Sequence, residues 1–167
     1  SGAFAAGLFH VFTHAFFKAC LFLGAGSVMH AVHAHGDADI RNLGGLRKYM
    51  PRTHITFLIA CLAIAGFPLT AGFFSKDEIL FGALESSQGE GSLAWVGYLV
   101  FAMLAIAALM TAFYMFRLYF RTFWGEYKGD KDAHSGERHH PHESDAWITS
   151  PLMVLSFFAL VAGFLGL

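Results

Sequence analysis

Four stretches of this chain are too long and too apolar to be the elements of a soluble domain. They run from about residues 3 to 27, 55 to 84, 93 to 116 and 148 to 167. A helix needs roughly 20 predominantly apolar residues to cross a hydrocarbon core of about 30 Å. Lipid offers no partner to a backbone amide, so such runs must satisfy their own peptide groups as helices. The expected fold is an all-α, multi-pass membrane protein with about four transmembrane helices.

Composition agrees: 56% of residues are hydrophobic and 14% charged, against about 25% charged in an average soluble domain. A formal net charge of -1 supplies no basic surface for nucleic acid, leaving the lipid bilayer as the expected surroundings. Cys20 and Cys61 fall inside apolar runs without a CxxC or metal spacing and read as small buried hydrophobes. The chain opens on SGAFAAG, with neither an initiator Met nor a basic segment before an apolar core, and ends on Leu167. It therefore reads as a piece of something longer, with no signal peptide.

Lys and Arg in the connections set the expected orientation. Residues 34 to 54 hold Arg41, Arg47, Lys48 and Arg52, and residues 117 to 147 hold Arg117, Arg121, Lys128, Lys131 and Arg138. Residues 85 to 92, ESSQGEGS, carry Glu85 and Glu90 and no basic group. The first and third connections are expected on the cytoplasmic side and the second outside. Tyr114, Tyr119 and Trp124 form a candidate interfacial aromatic belt, with Trp95 and Trp147 at other span ends.

The first run contains HVFTHAFFK. His10, His14 and Lys18 are spaced i, i+4, i+8, which places them within about 80° of one another on a helix, each separated by about 6 Å of rise. A water fits each gap, and titratable groups linked by water pass protons. A Lys near the centre of a span costs about 2.5–3.5 kcal/mol on insertion scales, so it is kept for a reason. The bland alternatives are a snorkelling Lys18 and histidines hydrogen-bonded to neighbouring helices. His10 and His14 as haem or metal ligands is a further reading, but no third ligand is evident, and one helix face cannot supply both axial positions of a haem. His30, His33 and His35 read as interfacial, with a continuation of the row through His30 and His33 as the alternative.

The second run is interrupted by Gly66, Pro68 and Gly72 in AGFPLTAGFFSKDEIL. Proline removes a backbone donor and clashes with the preceding turn, so a break is expected near residues 66 to 75. Ser75 to Glu78 matches a capping box, which predicts a second half-helix starting at Lys76 with Ser75 as its N-cap. Irregular backbone at membrane depth survives only beside protein or a watery cavity, and broken helices mark ion sites in transporters. Lys76 would then be a switchable charge, with Asp77 and Glu78 as accessories. The competing pattern is a full span ending at Phe74, with SKDE at the outer interface, and periodicity leaves both open.

The strings THAFFKACLFLGAGSVMHA, GGLRKYMP and AGFPLTAGFFSKDEIL, in this order and spacing, resemble the antiporter-like subunit L family of the proton-pumping NADH:quinone oxidoreductase, respiratory complex I. The resemblance covers essentially the whole chain. It implies part of the second inverted repeat of an antiporter-like fold, with the second span discontinuous. It also implies that His10, His14 and Lys18 belong to a hydrated central relay and that Lys76 serves the outward proton path. The first repeat and the long lateral helix of that family have no counterpart here. The resemblance further implies other complex I membrane subunits as partners, a bacterial inner membrane location and no cofactor in this chain. NADH, FMN, iron-sulfur clusters and quinone would lie in other subunits.

The connection from Gly125 to Trp147 is polar, with His134, His139, His140 and His142. It reads as a solvated loop rather than a metal site. The resulting expectation is a non-redox proton-translocating subunit of an oxidoreductase, with no covalent catalysis. Rivals are a cation/proton antiporter subunit of the same fold, a haem-binding membrane anchor and a purely structural anchor. The purified subunit is expected to be colourless; a Soret band in its absorption spectrum would instead favour the haem anchor.

Overall fold

A computed structural model describes residues 2–32, 39–41, 43–87, 94–127 and 140–166. His33, His35, His134 and His139, and with them the expectation placed on His33, lie outside the described residues. The helices are α1 (Gly2–Ala31), α2 (Pro51–Ala65), α3 (Ala71–Ser87), α4 (Ala94–Phe123) and α5 (Ala146–Val161), with 3₁₀ turns at Leu46–Lys48 and Ala162–Gly166. Among the described residues, three segments are long and apolar enough to cross a membrane alone: Phe4–Ala31, Trp95–Phe123 and Ala146–Leu165. Helices α2 and α3 reach only about 22 and 26 Å at 1.5 Å per residue and are separated by the break at residues 66–70. That broken pair occupies the middle of the bundle, with α1 and α5 packed on one side and α4 on the other.

The break follows from its residues. Gly66 takes the left-handed conformation at φ 81° and ψ 38°. Its amide donates to the Ala63 carbonyl, and the Phe67 amide donates to Leu62 at 3.0 Å. These two bonds form a Schellman ending, which closes a helix most easily on glycine. Leu69 also has a positive φ of 69°, a costly state for a branched side chain. The Thr70 hydroxyl donates to the Phe67 carbonyl at 2.6 Å, so the turn satisfies part of its own backbone.

The second half-helix begins at Ala71 rather than at Lys76. The capping-box reading is therefore wrong: Ser75 lies a full turn inside α3 and is completely buried. Its hydroxyl meets His10 and Thr13 on α1 rather than an amide at a helix start. Gly72 likewise lies inside α3, where its lack of a side chain allows close approach. A Cβ there would stand 1.8 Å from the Ala63 carbonyl oxygen.

Other boundaries moved outward. Helix α4 continues through Arg117 and Arg121 to Phe123, where the connection was expected to have begun. Nothing in LYFRTF stops a helix before Gly125, which has φ 88°, and long Arg side chains can reach the interface from a helix end. Tyr119 is not a belt residue. It is 3% exposed, and its hydroxyl meets His54 Nε2 at 2.6 Å. Trp95 and Trp147 are exposed, as belt residues would be, and Trp124 lies under the Arg47 guanidinium at 3.9 Å.

Between the helices sits a core that includes Phe17, Cys20, Met50, Phe57, Cys61, Phe123 and Leu152. Both cysteines are free and buried. At the far end of α2 from the break, Glu143 accepts from the Arg52 amide at 2.8 Å and from the Thr53 hydroxyl at 2.6 Å. A carboxylate imported from the last connection thus caps a helix whose own N-cap, Met50, supplies no side-chain bond. Ser27 joins this cluster, 3.1 Å from Thr53 and 2.6 Å from Ser144.

Replacing Gly72 by Ala is expected to push the half-helices apart and destabilise the subunit by about 1–3 kcal/mol, read as a lowered thermal midpoint in detergent. An unchanged midpoint would mean that the approach of Gly72 to Ala63 relaxes without cost.

Candidate proton-relay site

Helix α1 carries the three basic residues along one side, each partly exposed in this structure. His10 and His14 have ring centroids 6.0 Å apart at 49°, the spacing set by one turn of rise. The His14 ring then meets the edge of Phe17 at 5.2 Å. Lys18 stands about 24 Å along a helix of about 45 Å, near its middle, and its Nζ lies 5.1 Å from the Phe22 ring centroid. A cation over an aromatic face regains part of its lost hydration.

From α3, Lys76 reaches back across the break, and its Nζ donates to the carbonyl of Ile64. Leu62, Ala63 and Ile64 would otherwise be orphan acceptors at the end of α2. The first two receive the amides of Phe67 and Gly66, and the third receives the ammonium. The positive charge also meets the negative end of the α2 dipole, a favourable placement. The aliphatic stem of Lys76 fits because position 66 is glycine: a Cβ there would come 3.3 Å from Lys76 Cδ.

His10 and Lys76 line one open cleft of about 210 Å³, together with Ile79, Leu80, Leu104 and Thr111. That volume is large enough for several waters, at about 30 Å³ each. The opposite side of His10 is tied down. Its Nδ1 lies 2.9 Å from Ser75 Oγ, and the Thr13 hydroxyl donates to the same oxygen at 3.0 Å. Ser75 on α3, itself bonded by Thr13 on α1, therefore fixes the first histidine beside the lysine of the broken helix.

The structure thus brings His10, His14 and Lys76 together and places Lys18 two turns beyond His10 on the same helix. Asp77 and Glu78 are exposed and form no ion pair with Lys76; among the described residues the ion pair is Arg41 with Asp39. That exposed pair holds the Asp39 carboxyl below its ordinary range, chiefly by the Arg41 side-chain hydrogen bond. His30 is exposed in the last turn of α1, near His142 at 5.9 Å, well away from the cleft. Of the expected break residues, Gly66 and Pro68 lie in the interruption and Gly72 does not.

Sequence reasoning missed Thr13 as a site residue and gave Ser75 the wrong task. The available signal was spacing: Thr13 follows His10 by three, on the same helix face, and Ser75 adjoins Lys76. The Ile64 carbonyl had no sequence signal, since any residue supplies it.

Comparison with known proteins bears on the same segment. The family described as NADH:quinone oxidoreductase/Mrp antiporter, transmembrane, matches residues 1–102. NAD(P)H-quinone oxidoreductase chain 5 of Picosynechococcus is 44% identical over 187 residues, covering 99% of this chain and 26% of the relative. NADH-quinone oxidoreductase subunit L of Neisseria meningitidis is 42% identical over 180 residues, covering 100% of this chain and 25% of the relative. F(420)H(2) dehydrogenase subunit L of Methanosarcina mazei is 48% identical over 162 residues, covering 93% and 22%. The chain spans about a quarter of the length of the curated relatives it matches. Among solved structures, the Mrp complex from Dietzia gives a TM-score of 0.74 at 23% identity, covering 96% of this chain and 34% of that one. An archaeal membrane-bound sulfane sulfur reductase gives 0.73 at 23% identity, covering 95% and 23%. At that identity the two structures speak for the fold alone.

Proposed function

The chain belongs to the NADH:quinone oxidoreductase/Mrp antiporter membrane family, and from that premise we propose that it forms part of a proton-translocating channel in a respiratory NADH:quinone oxidoreductase. The single observation that carries this reading is the shared cleft of His10 and Lys76 at the break of α2–α3. The curated relatives at 42% to 44% identity, named as subunits of quinone oxidoreductases, favour it over the antiporter reading. Other membrane subunits of that complex are the proposed partners. The Neisseria relatives favour a bacterial inner membrane.

In this proposal His10, His14 and Lys18 exchange protons through water along α1, and Lys76 receives them at the break. Every step is a proton transfer between nitrogen and water; no covalent intermediate forms in this chain. Moving a proton outward against the membrane potential costs about 2.3 kcal/mol per 100 mV, so the path cannot stay open at both ends. Lys76 is the proposed gate. When charged it bonds Ile64 and opposes the α2 dipole; when neutral it loses the charge–dipole attraction and keeps only a weaker hydrogen bond, and the break is freer to move. Quinone reduction in other subunits supplies the drive.

Sidedness follows the same reading. Gly45 donates to the Trp124 carbonyl at 3.1 Å, and Glu143 caps α2 at Arg52, so the first and third connections meet at one end of the bundle. Their basic residues favour the cytoplasmic face for both.

Lys18→Ala and Lys76→Ala in the complete complex, reconstituted in vesicles, are each expected to lower NADH-driven proton transport by about tenfold, the effect of removing about 1.4 kcal/mol of stabilisation from a required step. Unchanged transport in both variants would assign the chain a purely structural role. Sodium transport without quinone reduction would favour the antiporter.

A further inference from the structure

We propose that Ser75 and Thr13 form a two-state hydroxyl clamp that serves His10 with or without a proton on Nδ1, making them positioning residues of the relay. The proposal deepens the reading above and rests on it. Ser75 and Thr13 are both completely buried, so no solvent competes for their hydroxyls.

The clamp has two complete hydrogen-bond patterns on the same heavy atoms. When Nδ1 bears no proton, Thr13 donates to Ser75 Oγ at 3.0 Å and Ser75 donates to Nδ1 at 2.9 Å. When Nδ1 is protonated, the imidazole donates to Ser75 Oγ. Ser75 then turns its proton to the Gly72 carbonyl at 3.5 Å, and Thr13 can turn to the His10 carbonyl at 3.0 Å. A hydroxyl donates once and accepts twice, and its hydrogen rotates to suit. The exchange therefore needs rotation of the Ser75 hydroxyl, with that of Thr13 optional, and no movement of a helix.

The consequence for the relay is geometric. With Nδ1 held on Ser75, the ring is pinned against α3 in both states, on the helix that presents Lys76 to the shared cleft. A ring free to swing on its χ angles would lose that register. The ionisable groups facing His10 are His14 on α1 and Lys76 on α3; α4 presents Leu104 and Thr111, and neither ionises. A hydroxyl can donate to bare Nδ1 or accept from protonated Nδ1, whereas a carboxylate can only accept.

The test uses the complete complex in vesicles, with proton transport measured across pH for Ser75→Ala, Thr13→Val and Thr13→Ser, beside Lys76→Ala. Ser75→Ala is expected to lower transport by about tenfold, the scale of one lost hydrogen bond to a group that ionises, and to displace the pH profile. Thr13→Val is expected to change transport in the same sense by a smaller factor, and Thr13→Ser to restore it. A uniform slowing by Ser75→Ala at every pH would mark the clamp as packing only and overturn the inference. So would full transport with an unmoved profile, provided Lys76→Ala still lowers it about tenfold. Full transport in Lys76→Ala as well would instead overturn the relay itself.

Discussion

A single lysine holds a broken helix together. The last turn of α2 leaves its carbonyls without helical partners, and an unpaired polar group at membrane depth would cost several kcal/mol. Gly66 and Phe67 satisfy two carbonyls by backbone geometry, and Lys76 satisfies the third. The same bond relieves the cost of placing an ammonium at that depth. Each group is the other's solvent, which is why a charge and a break occur together.

The ends of α2 mirror one another. Glu143 brings a negative charge to its N-terminus and Lys76 a positive one to its C-terminus, both from later segments of the chain. Each sign opposes the local end of the helix dipole. A 15-residue helix is thus clamped electrostatically at both ends, and loss of either charge loosens its hold. Along α1 the polar ties repeat this economy: Thr13 and His10 grip α3 near one end, and Ser27 grips Thr53 and Ser144 toward the other.

Much of this was legible before any coordinates. Long apolar runs dictate helices in lipid, and Gly66 with Pro68 announces an interruption. The i, i+4, i+8 spacing puts His10, His14 and Lys18 on one side because helix geometry leaves no choice. The start of α3 was not legible, because a capping box is a local pattern and Ser75 answers to His10, 65 residues away. Tyr119 looked interfacial for a similar reason: its sequence neighbours are belt residues, whereas its contact is His54 on another helix. The Glu143 cap joins residues 91 apart, and nothing local to either predicts it.

What the arrangement supplies is a cleft between two titratable groups on different helices, next to a break in the helix. A map of the complete complex at a resolution that shows water tests this most directly. The account predicts ordered waters joining His10 to Lys76 in the cleft, with the Lys76 ammonium within hydrogen-bond reach of the Ile64 carbonyl. A dry cleft filled by apolar side chains, with the Lys18 and Lys76 ammonium groups at lipid headgroups, would contradict it.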